Sequence, residues 1–133
     1  IFRSNIIGRV APGLSLTKDS IMKLWLDLET FSDIPLDYGV YRYAEKARIL
    51  LCAYAVDDAP ARCVDCAALE PMPADFTEAL KNPKCEIWAH NSNFDRTILS
   101  HYPGCAEAAR DISRWRDSMI AAYALGLPGK LLD

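Results

Sequence analysis

No apolar run in this sequence approaches the ~20 residues that a membrane-spanning helix needs, so no membrane partner is expected. Positive charge is not in excess either. Fifteen Lys and Arg stand against eighteen Asp and Glu, for a net charge of −3. That balance excludes a protein that coats duplex nucleic acid through a basic face, but it leaves room for an enzyme whose bound cations supply the positive charge. The first twenty residues lack the apolar core of a secretory signal. The five cysteines, Cys52, Cys63, Cys66, Cys85 and Cys105, are odd in number and irregular in spacing. They read as reduced thiols of a cytosolic chain. Cys63 and Cys66 form a CxxC, but the second tight pair of a structural zinc site is missing, and no helix start follows as in a thioredoxin-type redox motif. His90 and His101 read as solvated or capping residues, not as ligands. There is no internal repeat and no low-complexity tract. What remains is an ordinary balance of 51% hydrophobic and 25% charged residues over 133 positions. That is enough for one domain, burying roughly two-thirds of its unfolded surface.

Residues 1–21 have no steady period, and the first methionine is Met22. They are expected to be a disordered leader. From Met22 the pattern changes abruptly. Leu24–Leu28 alternates as a strand, Ile49–Val56 is a near-continuous apolar strand, and Asp57-Asp58-Ala59-Pro60 turns the chain so that Arg62–Cys66 returns as a hairpin partner. A short helix is predicted over Pro73–Leu80 with proline at its start, a strand over Glu86–Ala89, and a helix over about Asn93–His101. A last helix is predicted over Ile112–Leu125, with Trp115, Met119, Ile120 and Tyr123 at helical spacing and Gly126 and Pro128 ending it. A further element is expected to open at Leu131-Leu132-Asp133, so the domain reads as incomplete at that end. Hairpin strands followed by alternating strand and helix indicate an α/β fold with a mixed sheet flanked by helices.

Two acidic patterns carry the chemistry. In Leu24-Trp25-Leu26-Asp27-Leu28-Glu29-Thr30, alternation puts the three leucines on one face of a strand and Asp27 with Glu29 on the other. Two carboxylates ~7 Å apart on one strand face repel each other. The pair is tolerated where the strand end is solvated or where it binds a cation. The second pattern is Glu86-Ile-Trp-Ala-His-Asn-Ser-Asn-Phe-Asp95, a strand ending in capping residues before a helix whose first turn holds Asp95. One reading of Asp95 is local, a loose capping box with Ser92 in the field of the helix dipole. The other is a rigidly held carboxylate at the end of a strand, where α/β folds place their sites. Phe94 would anchor that turn, followed by Ile98 and Tyr102. Trp25, Trp88 and Trp115 read as core, although Trp25 shares its face with Asp27. Arg42, Lys46 and Arg48 read either as a solvated face or as contacts for the backbone of single-stranded DNA.

In this order, Asp27-x-Glu29-Thr30 followed by Asn91-x-x-Phe94-Asp95 resembles the first two motifs of the DEDD superfamily of 3′–5′ exonucleases. Asp27-Leu-Glu-Thr-Phe-Ser, Gly39-Val-Tyr-Arg-Tyr-Ala-Glu45, Ala53-Tyr-Ala-Val-Asp57, Trp115-Arg-Asp-Ser-Met119 and Ala124-Leu-Gly-Leu-Pro128 resemble the proofreading exonuclease domain of phage-type family A DNA polymerases. The resemblance covers residues 22–133. It implies a ribonuclease H-like sheet, the exonuclease fold, of which this chain is the N-terminal part. It also implies two divalent ions, Mg²⁺ or Mn²⁺, with Asp27 bridging them, Glu29 on the water-activating ion and touching the 3′-hydroxyl, and Asp95 on the second. Leu28, Thr30, Asn91 and Phe94 would border or support the substrate, Thr30 through its backbone N–H. The implied partners are the 3′ end of single-stranded DNA and a polymerase domain downstream in the same protein, in the cytoplasm of a bacterial cell or phage-infected host. The family's fourth aspartate, which follows a water-orienting Tyr or His, has no counterpart here. Tyr123 and Asp133 lack the spacing, and Asp117 matches a helix position that is not a ligand. A non-catalytic nucleic-acid-binding domain and a stand-alone exoribonuclease of the same superfamily are the alternatives.

Overall fold

The computed structural model describes residues 20–129. All but the last two residues of the expected leader, and the element expected at Leu131–Asp133, lie outside the described residues. The chain forms β1 (Lys23–Phe31), α1 (Val40–Lys46), β2 (Arg48–Val56), β3 (Arg62–Asp65), α2 (Ala74–Lys81), β4 (Glu86–Ala89), α3 (Ser92–Leu99), α4 (Ala106–Arg110), β5 (Trp115–Asp117) and α5 (Ser118–Ala124), with short 3₁₀ turns at Leu36–Tyr38 and Ile112–Arg114. The five strands of the described residues make one sheet in the order β3-β2-β1-β4-β5. β1 pairs antiparallel with β2, and β2 with β3, while β1–β4 and β4–β5 are parallel. This is an α/β fold with a mixed sheet flanked by helices, compatible with the ribonuclease H-like arrangement. No helix among the described residues is long and apolar enough to cross a membrane.

The alternation in β1 sets the layers. Leu24, Leu26 and Leu28 are buried on one face, where they meet Cys52 and Tyr54 of β2, Phe76 and Leu80 of α2, and Ile98 and Leu99 of α3. The Tyr54 ring meets Phe76 edge-on at 5.1 Å. Each fully buried leucine or isoleucine on this face contributes on the order of 1.5–3 kcal/mol. On the opposite face Trp25 stacks on Trp88 at 5.1 Å, and the two residues are register partners of β1 and β4. Asp57 closes the β2 end. Its backbone is left-handed at φ 48°, and its carboxylate accepts the Lys23 N–H at 2.8 Å.

The predicted single helix over Ile112–Leu125 is not what forms. A 3₁₀ turn, a three-residue strand and a seven-residue helix occupy that span. Parallel pairing with β4, Ile87 to Trp115 and Ala89 to Asp117, claims the residues whose spacing had suggested a helix. Asp117 then caps α5 by accepting the Met119 N–H. Trp115 is core as expected, but on a strand, with its indole N–H donated to the Ala108 carbonyl at 2.9 Å. Helices α1 and α4 were not anticipated. Both are short, and α4, Ala-Glu-Ala-Ala-Arg, has too few apolar positions to show a period.

Candidate active site

β1 and β4 run side by side only as far as Trp25 and Trp88. Beyond that point β4 ends and the chain turns into α3, so β1 continues without a strand on that side. The first turn of α3 takes the place of the missing strand. The Leu28 N–H is donated to Asp95 Oδ1 at 3.3 Å, joining residues 67 apart in sequence. The capping-box reading of Asp95 therefore gives way, because its carboxylate serves β1 and the N-cap residue Asn91 makes no side-chain cap bond.

On either side of Leu28, Asp27 and Glu29 project from the other face of the strand, and both are exposed. Asp95 is 3% exposed. Burial, and then the charge of Asp27, push its carboxyl up to about 8, against the pull of the Leu28 N–H. Asp27 is raised as well, first by partial burial and then by Glu29, with His90 acting the other way. Carboxylates that resist each other's ionisation are the arrangement a bound cation relieves. The donors are all hard oxygens, which suits Mg²⁺ or Mn²⁺. Among the described residues, no three His, Cys, Asp or Glu side chains are gathered around a single point as a ready-made ion cage.

The supporting shell comes from three other elements. Tyr43 of α1 hydrogen-bonds the Thr30 hydroxyl at 2.9 Å, and its ring lies 5.7 Å from that of Phe94. One aromatic residue thus ties the end of β1 to the first turn of α3, and sequence reasoning passed over it. Its signal was present only as part of the Gly39-Val-Tyr-Arg-Tyr run. Asn91 is exposed and left-handed, φ 60° and ψ 58°, a conformation that asparagine tolerates better than most residues. Asp117, at the end of β5, accepts the Asn91 and Ser92 N–H groups at 3.0 and 2.8 Å. His90 is half-buried and engaged at both ring nitrogens. Its Nδ1 lies 3.0 Å from Ser118 Oγ, and its Nε2 lies 2.6 Å from the Gly129 carbonyl. His101 is exposed. Arg42, Lys46 and Arg48 are exposed at the end of the sheet where β1 finishes, with Arg48 paired to Phe31 and its guanidinium 5.4 Å from the Phe31 ring.

Over 112 residues the chain is 40% identical to the DNA polymerase of Bacillus phage SP02. This chain is related to a phage DNA polymerase. The alignment takes in 81% of this chain and 17% of the phage protein, so the chain corresponds to a small part of its relative. No protein-family model matches it.

Proposed function

We propose that this chain is the front part of the 3′–5′ proofreading exonuclease domain of a DNA polymerase, releasing nucleoside 5′-monophosphates one at a time from a DNA 3′ end. The observation that carries this reading is the hydrogen bond from the Leu28 N–H to Asp95. It brings the acidic motif of α3 onto the strand segment bearing Asp27 and Glu29. The similarity to a phage DNA polymerase and a strand order compatible with the ribonuclease H-like sheet point the same way.

Asp27, Glu29 and Asp95 would hold the two divalent ions. When bound, such ions activate water and stabilise the departing 3′-oxygen. The chain's own residues do the rest. Glu29, exposed at the end of β1, is free to meet a terminal 3′-hydroxyl. The Leu28–Thr30 backbone borders the same position, and Tyr43 holds Thr30 in place. Phe94 and Asn91 shape the turn that delivers Asp95. Arg42, Lys46 and Arg48 offer cations to the phosphates of a single strand, which needs only a few such contacts. A downstream polymerase domain would supply the 3′ end.

A second reading, a non-catalytic nucleic-acid-binding domain, draws on the absence of a gathered three-ligand cage among the described residues. A gel assay separates the two. Single-stranded DNA labelled at its 5′ end is incubated with Mn²⁺ and the complete natural protein, with and without Asp27→Ala. Stepwise shortening that the substitution reduces at least ~10²-fold is expected. Equal shortening by both proteins would refute the exonuclease site.

A further inference from the structure

One carboxylate outside the acidic triplet, its charge still felt by Asp95, holds an unusual number of hydrogen bonds. Asp117 Oδ1 accepts the N–H groups of Asn91 at 3.0 Å and Met119 at 2.9 Å. Oδ2 accepts the Ser92 N–H at 2.8 Å and the Ser92 hydroxyl at 3.1 Å. The N–H bonds have ordinary well-formed lengths. They join two turns that lie side by side because Ala89 and Asp117 are parallel register partners at the ends of β4 and β5.

The two ends of this arrangement do different work. The Met119 bond is an ordinary N-cap of α5, local in sequence. The Asn91 and Ser92 bonds reach back 26 and 25 residues and anchor from outside a turn whose own bond runs from the Phe94 N–H to the Asn91 carbonyl at 3.0 Å. Asn91 sits in a left-handed conformation and makes no side-chain cap for α3, so an outside acceptor satisfies the first amides of that helix. Asp95 lies one turn further along, and its side chain must meet the Leu28 N–H across the gap left by β4. A small rotation of the Asn91–Ser92 turn swings the whole first turn of α3.

We propose that Asp117 is a positioning residue: by gripping the Asn91–Ser92 turn it fixes where α3 delivers Asp95 against β1. It need not touch ion or substrate to do so. Residues that orient ligands in this way are typically worth 10–100-fold in metal affinity when removed. The metal-dependent part of the inference rests on the proposed carboxylate site, whereas the placement of Asp95 does not.

The test uses the 133-residue chain and two substitutions, Asp117→Asn and Asp117→Ser. Serine is a good N-cap and keeps the bond to Met119, but it is too short to hold both Asn91 and Ser92. The first readout is the amide resonance of Leu28 in a ¹⁵N–¹H spectrum and its protection from hydrogen exchange, with Leu26 as the internal control. The proposal expects both variants to shift Leu28 and lower its protection while leaving Leu26 in place. An unchanged Leu28 amide in folded Asp117→Ser would overturn it and leave Asp117 as a cap of α5 alone. The second readout is Mn²⁺ binding, followed by the paramagnetic signal of the free ion. If wild type binds Mn²⁺, both variants are expected to bind at least ~10-fold more weakly, and equal affinity would overturn the proposal. If wild type binds no Mn²⁺, the Leu28 amide alone decides the role of Asp117, and the carboxylate site is decided by the cleavage assay on the complete protein.

Discussion

Asp95 is a carboxyl group kept largely out of water, and the consequence is measurable. In the folded chain it gives up its proton only near pH 8, against an ordinary value of 3.8. Between those values the folded state holds more protons than the unfolded one. The contribution of Asp95 to stability is therefore full below about pH 4, falls as the pH rises towards 8, and levels off above that. Asp95→Asn keeps an oxygen for the Leu28 N–H and removes the ionisation. Thermal melts in EDTA should show the variant more stable than wild type at pH 8.5, with a flatter profile from pH 4 to 8. Wild type and variant changing in parallel would mean that Asp95 ionises normally. Asp27→Ala should likewise leave the fold intact and raise the melting temperature slightly, by relieving Glu29 of a like charge. A marked drop would mean that Asp27 supports the structure. These acidic residues were legible in the sequence because their signals are local, strand alternation for Asp27 and Glu29 and a first-turn position for Asp95. Tyr43 and Asp117 were not, since each acts on residues that only the fold brings near.

Among the elements, the end of the sheet at β5 was hardest to read. Three residues are too few to show alternation, and Trp115 lies four before Met119, a helical spacing by coincidence. What holds this region is Arg114, buried among carbonyls: Nε donates to Cys85 at 3.0 Å, and the two terminal nitrogens donate to Leu80 at 2.8 Å and Ala79 at 3.1 Å. The guanidinium thus secures the last turn of α2 and the start of β4 from the loop before β5, and it complements the negative end of the α2 dipole. Arg114→Met is expected to cost on the order of 3 kcal/mol in urea unfolding, because three carbonyls lose their donors in the interior. Arg114→Lys should restore little of it, since an ammonium cannot present the planar fork. A loss below ~1 kcal/mol for Arg114→Met would show that water replaces the side chain. The strands β1, β2 and β4 were legible for the opposite reason, as runs of apolar residues bounded by turn signals.

At the scale of the whole molecule, α5 stands apart. None of its residues is buried, and Ile120, Tyr123, Leu125 and Leu127 around it are 56–76% exposed. Large apolar side chains exposed on one short helix and the residues after it promote association. Sedimentation velocity on the 133-residue chain should show a weight-average mass that rises with concentration, and Ile120→Glu together with Leu125→Glu should return it to that of a monomer. A concentration-independent monomer at the highest soluble concentration would refute this. The sequence indicated the fold class because hairpin strands preceded alternating strand and helix. It did not show which surfaces would lie bare, since a helix with apolar residues reads the same whether or not anything covers it.

The position of β1 in the sheet has a consequence for how the chain acquires its structure during synthesis. Its β2 edge can be satisfied early, by a strand close behind it in the chain. Its other edge waits for β4, and the Leu28 amide waits longer still, for α3. If the grip of Asp117 is as inferred, Asp95 is not locked until β5 has left the ribosome and paired. Asp27 and Glu29 are thus made early and stay without a fixed Asp95 until β5 arrives, so an unfinished nascent chain carries the acids of the site without their working geometry.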